Sequence, residues 1–309
     1  MLSHKIKVTA RLRHLLPGAR HLVLAVFSYR YDAHLVPDLL ENLAPVVDGW
    51  VAYDDRGGSG PFTSEPERRQ ALIARARALG AAWVLAIDPD ERLEHAAAAR
   101  IPKLTRSVER IIWCFDLREM YTPDHYRVDG IWGRKSQARL FPLLEGQKFS
   151  DRPLHAPWTP IEGGYAVRPA ELNLYHLKMI DPARRTARRD LYKRLDPGSA
   201  FQRIGYDYLT DEARLVLEPI PLSRSYWPRH VDDRSLWMAP PPDDEREAGI
   251  TAKVLEAASG PPAAATSAKS GSSLRKSLRR EPIPELSLAS TATIRRLIRR
   301  ACARRNSKS

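Results

Sequence analysis

Residues 81–94 read AAWVLAIDPDERLE. The apolar run from Trp83 to Ile87 is short and rich in β-forming side chains, and Asp88-Pro89-Asp90-Glu91 breaks it at once. It therefore reads as a buried parallel strand whose carboxyl end is crowded with acids. In an open α/β sheet that end is where ligands bind, and two aspartates one residue apart offer hard oxygen ligands of the kind Mg²⁺ and Mn²⁺ take. Asp and Pro are also ordinary turn residues, so the tripeptide by itself describes a solvated turn as well. The flanking sequence separates the two readings.

Upstream, HLVLAVFS (21–28) is a second buried strand, with Tyr29 to Asp32 at its carboxyl end. Residues 33–43 carry Leu35, Leu39, Leu40 and Leu43 at helical spacing, with Asp32 as N-cap. VVDGWVAY (46–53) is a further strand, stopped by Asp54-Asp55-Arg56-Gly57-Gly58-Ser59-Gly60. Glycines there let backbone approach a ligand, and a carboxylate can accept hydrogen bonds from a ribose or base, although glycine-rich loops are common. Residues 67–79 form an Ala- and Arg-rich helix ended by Gly80, with Leu72, Ile73, Ala76 and Leu79 as its core face. Right-handed crossovers then bring Tyr29, Asp54-Asp55 and Asp88 to Asp90 onto one rim of a parallel sheet, an arrangement suited to a nucleotide and a metal.

Composition bounds the rest. The 309 residues, 43% of them hydrophobic, suffice for a sizeable core. The formal charge is +13, but residues 251–309 hold 13 Lys and Arg against 3 Glu, net +10, which leaves +3 for residues 1–250. The first twenty residues read as a basic lead-in, either loose or a short surface helix. Residues 221–255 read as a proline- and tryptophan-rich wrapping extension, and residues 256–309 as a low-complexity linker (GPPAAATSAKSGSS, 260–273) followed by a basic tail. In that tail Ile294, Leu297, Ile298, Ala301 and Cys302 fall at helical spacing among arginines, so an anionic membrane surface is a natural partner. A disordered basic tail is the equal alternative, and nucleic acid ranks third, without aromatic interleaving or a recognised binding module. Two distant cysteines, Cys114 and Cys302, indicate neither a disulfide framework nor a zinc site. The sequence shows no apolar run long enough to span a membrane and no cleavable signal, which fits a cytoplasmic protein, peripheral at the inner face of the membrane if the tail binds there.

The order VAYDDRGGSG, arginine-containing helix, WVLAIDPDERLE resembles the nucleotide-sugar domain of family 2 glycosyltransferases with the GT-A fold. The likeness continues through IIWCFDLREM (111–120), YRVDGIWGRKSQARLFPL (126–143) and LNLYHLKMIDPARRTARRDLYKRLDP (172–197), over a domain of about residues 21–220. It implies an α/β, GT-A-like (Rossmann-like) fold, with a mostly parallel central sheet flanked by helices and a flexible basic C-terminal tail. The implied activity is inverting transfer of a sugar from a nucleotide-diphosphate donor to a hydroxyl acceptor, a glycan or glycolipid, in cell-surface polysaccharide or glycolipid synthesis.

Residue by residue, the resemblance implies that Asp54 and Asp55 hold the nucleoside, with Ser28, Tyr29, Arg30 and Arg68 as further nucleotide-binding candidates. It implies that Asp88 and Asp90 coordinate a Mg²⁺ or Mn²⁺ ion bridging the diphosphate, with His176 as a third ligand and Lys178 as a diphosphate contact. A departing nucleoside diphosphate needs its growing charge neutralised, which a metal and cationic side chains accomplish. His176 reads equally as a histidine packed at a strand end. Lys178, Arg184, Arg185, Arg188 and Arg189 read equally as a solvated helix face. Many relatives place a glutamate after the histidine that follows the Arg-Leu-Phe strand, whereas RPLHAPW has Ala156 after His155, so the general base is open. Asp129 is the first candidate, followed by Asp151 and Glu162, each of which also reads as a surface carboxylate. Tyr126, Trp132 and Trp158 form either a stacking wall for a sugar or part of the core. Two other classes use the same features: a metal-dependent phosphohydrolase or nucleotidyltransferase, and a membrane-associated nucleotide-binding relative that has lost the base.

Overall fold

A computed structural model describes residues 7–12, 21–56, 64–133 and 135–230. Along the chain come β1 (Lys7–Leu12), β2 (Val23–Tyr29), a 3₁₀ turn (Ala33–Leu35) running into α1 (Val36–Leu43), β3 (Gly49–Asp54), α2 (Glu65–Ala78), β4 (Trp83–Ala86), β5 (Glu91–Leu93) and α3 (Ala97–Leu104). There follow β6 (Ile111–Thr122), β7 (His125–Arg127), β8 (Ser136–Pro142), β9 (Ala166–His176), a 3₁₀ turn (Leu177–Met179), α4 (Pro182–Leu195) and β10 (Leu217–Pro219). The spatial order is β1-β3-β2-β4-β8-β6-β7-β10, with β9 beside β6 and β5 beside β9.

The apolar runs in the sequence are explained by burial on both faces. Val23, Ala25 and Phe27 of β2 and Trp83 and Leu85 of β4 pack on one side with Leu39 and Leu43 of α1 and Ala97 and Ile101 of α3. The alternate residues Leu24, Val26, Val84 and Ala86 pack on the other side with Leu72, Ile73 and Ala76 of α2. Neither face meets water, so no polar alternation is needed. Ser64 accepts the amide of Glu67 as the N-cap of α2, which starts that helix two residues before the expected 67, and Gly80 follows its end at φ +78°.

The sheet is mixed rather than mostly parallel. Strand β2 is parallel to β3 and β4, and β6 is parallel to β9, whereas β1, β5, β7, β8 and β10 pair antiparallel. A parallel pair needs a crossover of a dozen or more residues; between β6 and β8 the chain spends that length on β7 instead of a helix. Residues 7–12 form an edge strand, not a loose lead-in or helix. Ile6, Val8, Ala10 and Leu12 alternate with Lys5, Lys7, Thr9 and Arg11, a period-two pattern beneath the basic charge.

Asp32 does not cap the helix after it: its carboxylate accepts the Arg30 amide instead, and no side-chain cap bond forms. The described part of the wrapping extension does pack on the domain, with Tyr226 bridging to Glu94 and Arg224 bonded to the Glu94 carboxylate at 2.6 Å. The glycine loop at 57–60, the linker at 260–273 and the amphipathic segment at 293–305 lie outside the described residues. Among the described residues no helix is long and apolar enough to cross a membrane.

Candidate functional site

Parallel pairing puts the ends of β2, β3 and β4 on one rim, with Tyr29 opposite Asp54 and Ser28 opposite Tyr53. Asp55, 1% exposed, donates its amide to the Tyr29 carbonyl, and its carboxylate faces Arg68 at 3.2 Å and Arg30 at 3.7 Å. Asp54 is held bidentately by Arg56 at 2.9 and 2.7 Å, and those bonds lower its carboxyl pKa. Arg56 in turn lies over the Tyr29 ring. Tyr29, Arg30, Asp54, Asp55 and Arg68 thus form one connected group, with Ser28 beside it in β2.

The acid pair divides into two environments. Asp88 keeps a carboxylate 38% exposed, with one oxygen 2.8 Å from Arg139. Asp90 is 2% exposed; its Oδ2 lies 2.7 Å from Arg184 and 3.6 Å from Arg188, and its Oδ1 lies 3.4 Å from His176. Burial alone would raise Asp90, but His176 and Arg184 outweigh it and hold the carboxyl well below the ordinary range. Behind it, strands β5, β9 and β6 set Glu91, His176 and Glu119 in register. Glu119, fully buried, takes Lys135 at 2.9 Å, Lys178 at 3.3 Å and His176 at 3.2 Å, and these cations outweigh burial to hold it well below its usual value. Burial and the adjacent Lys178 would lower His176, yet Glu119 and Asp90 raise it. Burial, and then the charge of Asp90, push Asp32 up.

The cations exceed the acids they touch. Arg139, Arg184, Arg188, Lys135 and Lys178 are shared among Asp88, Asp90, Glu91 and Glu119. Arg184 is 1% exposed, and its Nε and Nη1 find no acceptor among the described residues. A buried guanidinium with spare N–H groups is costly, and an oxyanion relieves that cost.

For a divalent ion the donor set does not fit as it stands. Both Asp90 oxygens are engaged by cations, and His176 sits between Asp90 and Glu119. That leaves Asp88 as the accessible carboxylate, and among the described residues no three His, Cys, Asp or Glu side chains are disposed around a common metal position.

The three carboxylates expected as bases have different surroundings. Asp129 is clamped by Arg127 at 2.7 and 2.8 Å and accepts the Val216 amide, and the Arg127 bonds lower its pKa; it ties β7 to the segment before β10. Asp151 is exposed in the loop after β8, and Glu162, 60% exposed, pairs with Lys148 at 3.0 Å. Nor do the aromatic candidates form one wall. Tyr126 packs with Tyr175 and Tyr226, Trp132 with Tyr121 and Tyr208, and Trp158 against Phe141 and Ile73 under Arg69.

Sequence reasoning passed over Arg139, Glu91 and Glu119, and read Asp32 only as a cap. Two of them carried a signal: Arg139 is the one charge of its strand and runs straight into Leu140-Phe141, and Glu119 is flanked by the apolar Met120-Tyr121 at the end of IIWCFDLREM. A charge in such a place needs a buried partner. No protein-family model and no curated protein matches this sequence.

Proposed function

We propose that the chain is a glycosyltransferase of GT-A-like architecture that moves a sugar, with inversion, from a nucleotide-diphosphate donor to a hydroxyl acceptor. The observation that carries this reading is the gathering of five cations, Arg139, Arg184, Arg188, Lys135 and Lys178, around four carboxylates next to the rim where parallel strands β2, β3 and β4 end, with spare N–H groups on the buried Arg184. In this reading the group around Asp54 and Asp55 receives the nucleoside. Arg184, Arg188 and Lys178 meet the diphosphate and neutralise the charge that grows as the bond to the sugar breaks. Such preorganised charges favour the departing group without reorganisation at the moment of transfer.

The reading is tested by thermal unfolding of the full chain with UDP, GDP, ADP, CDP and dTDP, each with and without Mn²⁺. A specific ligand at a hundred times its dissociation constant stabilises by about 2.7 kcal/mol. One nucleotide giving that shift, lost in Arg188→Met, supports the reading; no shift with any nucleotide overturns it. The Mn²⁺ arm reads the ion directly: a metal-dependent shift requires Asp90 to exchange Arg184 for the ion, and a shift that ignores Mn²⁺ leaves neutralisation to the side chains.

A further inference from the structure

Besides the three carboxylates considered above, a group of linked side chains, His155, Tyr206 and Asp196, lies beside the cation cluster. One face of α4 carries Arg184, Arg188 and Tyr192 at successive four-residue steps, each about 6 Å along the axis. Arg184 and Arg188 meet Asp90 at one end. At the other end the Tyr192 ring lies 4.9 Å from the ring of His155 and stacks on Tyr206 at 5.3 Å.

The histidine is held from every side. His155 sits at φ +57°, a left-handed conformation that non-glycine residues rarely adopt, and such strain concentrates at functional positions. The carboxylate of Glu65, in the first turn of α2, accepts the amides of His155 and Ala156 at 3.3 and 3.2 Å. The Tyr206 hydroxyl donates to Asp196 Oδ2 at 2.7 Å, so its single proton is spent there. It can then only accept from His155 Nε2, 3.0 Å away. This fixes the proton of the neutral ring on Nε2 and leaves Nδ1 with its lone pair, and Nδ1 has no hydrogen-bond partner among the described residues. Asp196 is itself anchored by the amides of Ala200, Phe201 and Gln202.

We infer that His155 is the general base of the transfer, with Tyr206 and Asp196 as the positioning residues that fix its tautomer. This rests on the glycosyltransferase reading. Nδ1 takes the proton of the acceptor hydroxyl as that oxygen bonds to the anomeric carbon. The bond from the anomeric carbon to the diphosphate oxygen breaks, and the nucleoside diphosphate leaves with the electron pair.

The surrounding charges add a consequence. Burial, then Arg152, with smaller contributions from Lys178 and Arg188, depress the imidazole to about 4 against the opposing charge of Asp196. Tyr192 packs on the ring, and Glu65 holds the backbone amide beneath it. A diphosphate lying between Lys178 and Arg188 cancels their repulsion, so the base strengthens when donor is bound, toward the ordinary histidine value of about 6.5.

The test uses the full chain and its His155→Asn variant, asparagine being tolerant of the left-handed conformation. Release of nucleoside diphosphate from UDP-glucose, GDP-mannose, ADP-glucose and dTDP-glucose is followed with water as acceptor. Dissociation constants for the same nucleoside diphosphates are measured alongside, with ¹⁵N NMR of the imidazole in wild type, Tyr206→Phe and Asp196→Asn. The expected result is release lowered about 10²–10⁴-fold in His155→Asn at unchanged nucleotide affinity. The ring proton lies on Nε2 in wild type, the Tyr206→Phe and Asp196→Asn variants disturb that tautomer and shift the pH profile of release, and added nucleoside diphosphate raises the histidine pKa. Wild-type release in His155→Asn, or a ring proton on Nδ1, overturns the assignment of His155 alone. Failure of the wild type to bind or turn over any of the four probes overturns it together with the glycosyltransferase reading.

Discussion

Asp88 and Asp90 are indistinguishable as letters in Asp-Pro-Asp, yet one is half-open and the other sealed. For Asp88→Asn, Arg139 retains Glu91, so we expect a loss of about 1 kcal/mol or less in urea unfolding. In Asp90→Asn the buried Arg184 loses its countercharge, and the expected loss is about 3–5 kcal/mol. Equal losses in the two variants would refute the division of roles. The difference was not legible in sequence because it depends on which cation β8 and α4 deliver, at separations of 51 and 94 residues. His155 gives a second prediction at this scale. Its unfolded value is about 6.5 and its folded value is depressed, so between those values the unfolded chain binds more protons and stability rises with pH. That contribution is complete above pH ~6.5 and is lost as pH falls toward the folded value. His155→Asn should flatten this part of the stability–pH curve, measured by thermal unfolding from pH 4 to 7.

Among the elements, α4 departs furthest from an ordinary amphipathic helix. Its buried residues are Arg184, Arg185, Leu191 and Leu195, so half of its inward anchoring is ionic. The helix was legible as a basic one through Arg184, Arg185, Arg188 and Arg189; its orientation was not, because an arginine face looks like a solvated one. Asp181 accepts the amides of Ala183 and Arg184, and Asp181→Ala should cost about 1 kcal/mol. A helix held by cations that await an anion should also tighten when one arrives. We expect amide hydrogen exchange across residues 183–195 to slow on addition of the nucleoside diphosphate that stabilises the protein, and exchange in α2 to change less. Strands β2 and β4 were legible because burial on both faces writes an unbroken apolar run, whereas β1 was hidden by its lysines and arginines.

At the scale of the whole molecule, the three-layer core was foreseeable from alternating strands and helices, but the mixed sheet was not, since antiparallel return depends on how a connection spends its length. The closing segment 222–230 was legible only as something that wraps. Its attachments are specific: Asn42 of α1 donates to the carbonyls of Leu93 and Trp227 and accepts the Leu93 amide, while Trp227 donates to Glu41. Asn42→Ala removes all three of its bonds at a buried junction and should destabilise by about 2–3 kcal/mol in urea unfolding. A loss below 0.5 kcal/mol would mean that the junction is dispensable.

That junction has a meaning for the order in which the protein is made. Tyr226, Trp227 and Arg224 meet residues 103, 186 and 130 positions earlier in the chain. A ribosome that has exposed every strand of the sheet through β10 has still not supplied Trp227 to Asn42 and Glu41, or Arg224 to Glu94. The nascent domain therefore waits with the carboxylate of Glu94 uncompensated until Arg224 emerges, and its first helix is locked in place by residues synthesised some 185 positions after it.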